Sequence, residues 1–448
     1  MIRLTNFEAQ LCKDLLEVAK NNNLTTVLRI AGGWVRDKIL GLESHDIDIT
    51  LDNMMGEEFA KLFCQNKDIS SLGKVRINPE ASKHLETACV RYNGIDLDFV
   101  NLRAENYTES SRIPTIKIGT PLDDAMRRDL TINSMFYNIN TGEIEDLTGF
   151  GLIDLQNKIA RTPLDPLNTF LDDPLRVLRT IRFAARFELT ILAEVQNAIE
   201  SKPVYYSLLN KISRERIAKE YYLIIKGKNH MVSLEKLYNS GLFPVIFKIP
   251  EGYPNFLQQG YRLVSKIQRS SLDENNLYIY TAGILAFYDK QLTIKKGKKD
   301  MHLYEYITTE SLKMSNLDNQ IVCGILNNLP KCIESFRNFN ALEFSEIICE
   351  LKQHWELCVI VSGYIAFDDP VVAEQQILSL CEVVKRHEID TCYEDKPLLN
   401  GNELKNMLSI TGKDIGKYSK ECLKWQILNR NGTREELVDY LKKGSLFK

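Results

Sequence analysis

The sequence is poor in the residue patterns from which structural zinc sites are built. Its ten cysteines never form a Cys-x-x-Cys pair, and its six histidines are scattered along the chain. Zinc sites need such ligands at close spacing, so no zinc site is expected. Nothing in the sequence indicates an oxidising compartment, and we expect the cysteines to be reduced and mostly packed.

Long apolar runs are also lacking. Runs such as 358–367 are much shorter than the roughly 20 residues that cross a bilayer, so no membrane span is expected. The first twenty residues contain three acidic residues and one arginine, which makes a poor organellar presequence. We therefore expect a cytoplasmic protein, with the mitochondrion and the nucleus as alternatives, and no obligate protein partner is evident.

Charge of one sign is not in excess. The 57 basic and 60 acidic residues give a net charge of −3, so any contact with nucleic acid must come from local clusters. The 448 residues are long for a single core. Strand alternation ends near residue 150 and helical periodicity dominates after it, which predicts an α/β head followed by an all-α remainder.

The most informative segment is RIAGGWVRDKILGLESHDIDIT, residues 29–50. It predicts a strand that ends in a turn at Gly32 and Gly33, followed by a helix over 34–40. Amide groups at a helix N-terminus attract anions, and Arg36 adds positive charge beside them. GxGxxG and GxxxxGK[ST] motifs are absent, so neither a dinucleotide fold nor a P-loop explains the glycines.

Two aspartates follow this turn. Asp46 and Asp48 are predicted to share one face of the next strand, and two such carboxylates can hold hard cations. A glycine pair alone is better explained as a turn, and an Asp-x-Asp alone as a solvated strand face. Their combination predicts a site for a metal-bound nucleoside triphosphate.

A second Asp-x-Asp lies in GIDLDFVNLR, residues 94–103. Asp96 and Asp98 share one face of a predicted strand, and either could be a third carboxylate beside Asp46 and Asp48. The pattern alone is better explained by an exposed strand face. The long polar segment 103–125 is predicted as a loop, either a mobile lid or a passive surface loop.

The segment MRRDLTINS, residues 126–134, pairs two arginines with an aspartate. Arg127 or Arg128 could reach a triphosphate or ribose, with Asp129 orienting the arginine. The alternative is a capped helix start with a surface ion pair.

The segment 160–187 predicts an amphipathic helix with a basic face, formed by Arg176, Arg179, Arg182 and Arg186. Asp173 lies one turn before Arg176, and the two offer acceptors and donors that could read the amine and ring nitrogen of cytosine or adenine. Asp173 before a proline is equally typical of a helix N-cap, so the two interpretations remain open.

Together these segments resemble the tRNA nucleotidyltransferase and poly(A) polymerase family of the DNA polymerase β superfamily. The resemblance is specific over residues 28–220 and weaker beyond. It returns faintly at 398–407 and 424–443, and 414–420 departs from the Gly-Pro-Trp-like turn of eukaryotic members.

The resemblance also implies roles for single residues. It favours Asp98 as the third carboxylate and assigns Arg128 to the nucleotide. It makes Asp173 and Arg176 the protein template for CTP and ATP. Further residues that it assigns to nucleotide binding are Gly32, Gly33, Arg36, Arg179 and Arg182. It also assigns Arg103, Glu105 and Tyr107 to a loop that changes the shape of the nucleotide pocket.

The fold implied is a polymerase β-like mixed sheet as head, followed by a helical neck, body and tail. The expected boundaries are 1–150, 151–227, 228–390 and 391–448. The activity implied is template-independent addition of CCA to the 3′ end of tRNA from CTP and ATP, with Mg²⁺ held by Asp46 and Asp48. The alternatives are CC-only or A-only addition, poly(A) synthesis, and an inactive RNA-binding module.

Overall fold

The computed structural model describes two compact units, Met1–Val245 and Ile246–Lys448. Among the described helices, none is both long and apolar enough to cross a membrane. The described residues are 2–44, 46–67, 69, 88–108, 111–267, 276–297, 299–410 and 412–443.

The first unit combines strands with helices. Its strands are β1 (Leu28–Ala31), β2 (Ile47–Leu51), β3 (Ala88–Tyr92), β4 (Ile95–Asn101), β5 (Arg103–Thr108), β6 (Ser111–Ile118), β7 (Phe136–Asn138), β8 (Glu143–Glu145), β9 (Ile159–Ala160) and β10 (Thr190–Ile191). Its helices are α1 (Asn6–Asn21), α2 (Gly33–Ile39), α3 (Gly56–Asn66), α4 (Pro121–Met126), α5 (Gly151–Gln156), α6 (Pro166–Asp172), α7 (Leu175–Arg186), α8 (Ala193–Ile199), α9 (Lys202–Lys211), α10 (Arg214–Ile225) and α11 (His230–Asn239), with α12 (Phe243–Ile246) at the boundary.

The second unit is mostly helical. Its helices are α13 (Leu257–Ile267), α14 (Asn276–Leu285), α15 (Leu303–Tyr306), α16 (Asn316–Ser335), α17 (Ala341–Leu351), α18 (Trp355–Ala366), α19 (Pro370–Arg386), α20 (Gly401–Leu408), α21 (Lys413–Leu428) and α22 (Arg434–Lys443). Its strands are β11 (Thr293–Lys296) and β12 (Lys299–His302).

The main sheet of the first unit has the strand order β3-β4-β2-β1-β7-β8. Its neighbouring strands are antiparallel except β2 and β4, which run parallel with helix α3 in their connection. In β2, Ile47, Ile49 and Leu51 are buried in the core, and Asp48 projects from the opposite face, as the alternation predicts. The strand begins one residue after Asp46, so the prediction that both aspartates lie within it was wrong by one position.

Helix α3 packs against the core face of β4. The Phe59 and Phe63 rings lie 5.7 and 5.8 Å from the Phe99 ring. At the first residue of the helix, an added Cβ on Gly56 would lie 2.5 Å from the Phe99 carbonyl oxygen. Glycine therefore allows the helix to begin directly against the strand.

The predicted mixed-sheet head followed by a mainly helical remainder is confirmed, but the remainder is not all-α. The strands β9 and β10 form a short parallel pair, and β11 and β12 form a hairpin. The second pair was missed because its lysine-rich strands lack apolar alternation. The predicted loop 103–125 was also wrong, since it contains the β5–β6 hairpin and helix α4.

In the second unit, the apolar run at 358–367 is explained by helix α18, which is buried on nearly all sides and packs against α16 and α19. An all-round apolar helix of this length is typical of a protein core. Near the C-terminus, α20, α21 and α22 enclose a separate small core that includes Leu404, Cys422, Trp425 and Leu437.

Gly56→Ala should destabilise the first unit, because the new methyl group would press against backbone that cannot turn aside. The expected loss is about 1–3 kcal/mol, as for overpacked core positions, measured by denaturant or thermal unfolding. Gly416→Ala is the matched control: no heavy atom lies within 4 Å of its added Cβ, and the change should stabilise helix α21 by about 0.5–1 kcal/mol. Equal stability of the Gly56→Ala variant and the parent would contradict the close helix–strand approach.

Candidate functional site

A cleft of about 1330 Å³ opens in the first unit, between the polar face of the main sheet and helix α7. Its lining is mostly charged. The acidic residues include Asp46, Asp48, Asp96, Asp98, Asp124, Asp129 and Asp173, and the basic ones include Arg36, Arg103, Arg127, Arg128, Arg176, Arg179, Arg182, Arg186 and Arg216.

The acidic wall is built by the parallel pairing of β2 and β4. Asp48 stands directly opposite Asp98 in this register, so the two side chains emerge side by side on the same face. Asp46 lines the cleft just before β2. Asp96 also lines it, but its carboxylate forms an exposed ion pair with Arg91 at 3.1 Å. The geometry thus favours Asp98 over Asp96 as the neighbour of Asp48.

The carboxylates of this wall affect one another electrostatically. The pKa of Asp48 is raised to about 6, first because the surrounding protein desolvates the carboxylate, and further because Asp98 and Asp46 carry like charge. Arg128 and Arg103 oppose the rise. An added cation would relieve the repulsion among these carboxylates.

These carboxylates suit a hard cation whose remaining coordination positions are filled by other ligands. Within the described residues, no group of three or more His, Cys, Asp or Glu side chains is arranged to hold a metal ion. Mg²⁺ commonly binds through one or two carboxylates plus substrate phosphates and water. The pair Asp48 and Asp98, with Asp46 beside it, fits that mode.

The turn between β1 and α2 makes room for an arginine. Gly32 has φ +68°, and an added Cβ there would lie 2.4 Å from Nη1 of Arg128. Its N–H donates to the Met135 carbonyl at 2.9 Å, so this amide is already paired. Gly33 lines the cleft. The structural role of Gly32 is therefore to form the turn and admit Arg128.

Arg128 is held by a buried carboxylate. Its Nε and Nη2 donate to Oδ2 of Asp124 at 3.1 and 2.8 Å, and its Nη1 donates to the Asn133 carbonyl at 3.2 Å. Asp124 also accepts from Nε of Arg127 at 2.9 Å and from the amide of Arg103 at 3.2 Å. Burial would raise the pKa of Asp124, but Arg128 and Arg127 hold it below its usual range.

Asp129 orients an arginine of helix α7. Its Oδ2 accepts from Nε of Arg179 at 2.7 Å, and its Oδ1 accepts from the Asn133 side chain and from the Leu130 amide, both at 2.9 Å. Burial would raise the pKa of Asp129, but Arg179 and Asn133 lower it, so the carboxylate stays charged. The sequence suggested Arg127 or Arg128 as the partner of Asp129, but the arginine that pairs with it is Arg179, fifty positions away.

Glu220 on helix α10 also orients arginines of helix α7. It is 4% exposed, accepts from Nε of Arg182 at 2.7 Å, and lies 3.8 Å from Nη1 of Arg179. The guanidinium of Arg182 also stacks 4.3 Å from the Phe183 ring. Sequence reasoning missed Glu220, although a glutamate between the buried helix positions Ile217 and Ile224 was a usable signal.

Arg36 is enclosed rather than open. It donates from Nε to Asp37 at 2.8 Å and forms a short hydrogen bond with the Asn133 side chain. Its guanidinium lies 4.5 Å from the Phe187 ring, and burial lowers its pKa. Asn133, which the sequence analysis did not single out, thus contacts Arg36, Asp129 and Arg128.

The two predicted template residues, Asp173 and Arg176, have different hydrogen-bond partners. Asp173 lies between α6 and α7, where Oδ1 accepts from the Leu175 amide at 3.3 Å and Oδ2 accepts from Nη2 of Arg216 at 2.8 Å. Arg176 is buried and donates to the Thr169 carbonyl at 3.2 Å. Asp173 therefore has a capping contact and an ion pair, and both residues line the cleft.

The remaining loop element is described only in part. Arg103 lines the cleft at the start of β5. Glu105 and Tyr107 lie on the same strand, but their side chains are outside the part of the chain that the structure describes. The predicted site residues thus line one cleft, apart from Gly32, which is not among the lining residues, and these two side chains.

Two family models match segments of the chain. Residues 28–161 match the Poly A polymerase head domain, which includes the acidic wall and Arg128. Residues 189–253 match the model described as a probable RNA and SrmB-binding site of polymerase A.

Full-length relatives extend the match. The chain is 34% identical to tRNA nucleotidyltransferase cca2 of Schizosaccharomyces pombe, over 96% of this chain and 95% of the relative. It is 34% identical to the mitochondrial CCA tRNA nucleotidyltransferase of Saccharomyces cerevisiae, over 98% and 93%. Its fold is similar to that of the Bacillus stearothermophilus CCA-adding enzyme in complex with CTP, with a TM-score of 0.69, 16% identity and 98% of each chain covered.

The head-domain match includes the acidic wall of the cleft, and the identity to these relatives extends over nearly the whole chain. The protein therefore belongs to the tRNA nucleotidyltransferase and poly(A) polymerase family.

Proposed function

We propose that this protein is a nucleotidyltransferase that adds CCA to the 3′ end of tRNA, using CTP and ATP without a nucleic-acid template. The observation that carries the proposal is the cleft itself, in which a carboxylate pair faces a wall of oriented arginines. Full-length relatives named for this activity support it.

The proposed reaction is an in-line transfer. The 3′-oxygen of tRNA attacks the α-phosphorus, the bond from that phosphorus to the bridging oxygen breaks, and pyrophosphate leaves. Arg128, oriented by Asp124, and Arg179, oriented by Asp129, offer charge to the phosphates and ribose. Arg36 and Arg182 add positive potential, which also attracts the polyanionic substrates to the cleft.

We propose Mg²⁺ as the cofactor, held by Asp46 and Asp48 with Asp98. Such a cation supplies Lewis-acid activation of the attacking hydroxyl and neutralises charge on the leaving group. The acidic wall would otherwise repel a triphosphate.

The base would be read at the start of helix α7. Asp173 can accept a hydrogen bond from the exocyclic amine of cytosine or adenine, and Arg176 can donate to the adjacent ring nitrogen. Guanine and uracil present a carbonyl where the amine would be, so either would leave Asp173 facing an acceptor.

Two alternatives concern the product and the activity itself. A CC-only, A-only or poly(A)-synthesising enzyme would share this cleft. An inactive RNA-binding module is disfavoured, because it would not need the Asp48–Asp98 pair beside an oriented Arg128. For location we propose the cytoplasm, with mitochondrial use as a second candidate because the yeast relative is named mitochondrial.

Asp48→Asn and Asp98→Asn should each lower nucleotide incorporation by several orders of magnitude, because each removes one carboxylate charge from the proposed metal site. Binding of tRNA and the melting temperature should change little. Asp96→Asn is the matched control, since Asp96 lies on the same strand and in the same cleft but pairs with Arg91 at the surface. Strong loss in Asp96→Asn with activity retained in Asp98→Asn would reverse the assignment of the third carboxylate.

Asp173→Asn should relax discrimination against GTP and UTP, because the amide can donate where the carboxylate only accepts. The stability cost should stay below about 1 kcal/mol, since asparagine caps as well as aspartate and the partly exposed pair with Arg216 contributes little. Asp165→Asn is the control: Asp165 caps α6 through the Asn168 amide at 2.9 Å and does not line the cleft. Unchanged nucleotide choice with lowered stability would identify Asp173 as a cap alone.

The assay that tests the full activity offers three tRNAs, ending at the discriminator base, at C and at CC, with CTP, ATP or both. A complete enzyme extends all three to CCA and then stops, which sequencing gels resolve to one nucleotide. Stalling at CC, activity on CC ends alone, or continued A addition would each assign one of the other products.

A further inference from the structure

Two cysteines of the second unit are in contact although they are far apart in sequence. Cys349 lies on helix α17 and Cys392 begins the 3₁₀ turn Cys392–Glu394. Their sulfur atoms are 3.9 Å apart. Both are free thiols in the structure.

The two thiols differ in access to solvent. Cys349 is exposed, whereas Cys392 is 4% exposed. The hydrogen bond from Cys392 lowers the pKa of Cys349, with help from Arg430 and against burial and the carboxylates of Asp395 and Glu346. The accessible sulfur is therefore also the one that more readily becomes a thiolate, which is the nucleophilic form.

We propose that Cys349 and Cys392 form an oxidation site, at which a low-molecular-weight disulfide such as oxidised glutathione converts the two thiols into a disulfide. The Cys349 thiolate attacks one sulfur of glutathione disulfide, and one glutathione thiolate leaves. Cys392 then loses its proton to solvent and attacks the Cys349 sulfur, and the second glutathione leaves. Two protein thiols are oxidised and one disulfide is reduced.

The closure needs only a local movement. The sulfurs must approach from 3.9 Å to about 2 Å. Helix α17 already packs against the 3₁₀ turn, and the Cys392 thiol contacts the Ser345 carbonyl of the same helix at 3.9 Å. The bond would fasten the segment that enters helix α20 to α17, next to the ion pair of Asp395 with Arg430.

A second thiol pair in the same unit provides a comparison. Cys332 and Cys358 also interact electrostatically, but both are fully buried. Cys332 and burial raise the pKa of Cys358 well above its usual value. Because neither sulfur reaches solvent, this pair should not react with glutathione disulfide while the protein is folded.

The test uses the full-length reduced protein, incubated with excess oxidised glutathione at neutral pH and mapped by non-reducing peptide mass spectrometry. We expect a cross-linked peptide that joins Cys349 to Cys392, loss of two of the ten thiols, and full reversal by dithiothreitol. In Cys392→Ser, Cys349 should instead be trapped as a mixed disulfide with one glutathione. In Cys349→Ser, Cys392 should remain unmodified.

Three results would overturn the proposal: no loss of thiols in the parent protein, a stable glutathione adduct on Cys349 without transfer to Cys392, or equal reaction of the Cys332–Cys358 pair. The measurement is independent of nucleotide addition, so it can succeed or fail whether or not the protein is a CCA-adding enzyme.

Discussion

The cleft depends on how a dense group of arginines is kept in place. Like charges in a partly desolvated site repel, and an unpaired buried charge costs several kcal/mol. The chain solves this with carboxylates that are themselves buried: Asp124 for Arg127 and Arg128, Asp129 for Arg179, and Glu220 for Arg182. Removing one of these acids would destabilise the first unit, because it would leave the cationic partner uncompensated.

These pairs also join the elements on which they lie. Asp129 follows helix α4 and pairs with Arg179, which fixes α7 against the strand-rich part of the first unit. Glu220 pairs with Arg179 and Arg182 and so joins α10 to α7. On the opposite wall the carboxylates of Asp48 and Asp98 are adjacent and lack such partners among their described hydrogen bonds. A bound cation would neutralise the repulsion between these two carboxylates. The arginines are therefore held in place by ion pairs before substrate binds, whereas the carboxylates need a cation to balance their charge. This is the arrangement expected of a site that binds a triphosphate together with its metal.

The sequence predicted what local patterns control. Period-two alternation placed Asp48 and Asp98 on polar strand faces, and helical periodicity placed Arg179 and Arg182 on one side of α7. The strand pattern alone left both Asp96 and Asp98 open, and only the family resemblance favoured Asp98. The observation that Asp98 stands opposite Asp48 required the β2–β4 register, which depends on packing between distant segments. The β5–β6 hairpin was missed because a polar segment with prolines is typical of loops. The sequence singled out Gly32 as part of an anion-binding turn, and the structure adds a packing reason for glycine there, since the space it leaves is filled by Arg128.

Asp173 shows why a capping role and a recognition role need not exclude each other. An ionised carboxylate has about four acceptor positions, and the structure uses one for the Leu175 amide and one for Arg216. Acceptor capacity remains for the amine of a base. The two internal contacts also remove the rotational freedom of the side chain, so a base would meet an acceptor of fixed direction at little entropic cost. The cap and the ion pair with α10 are therefore what would allow a single carboxylate to distinguish an amine from a carbonyl.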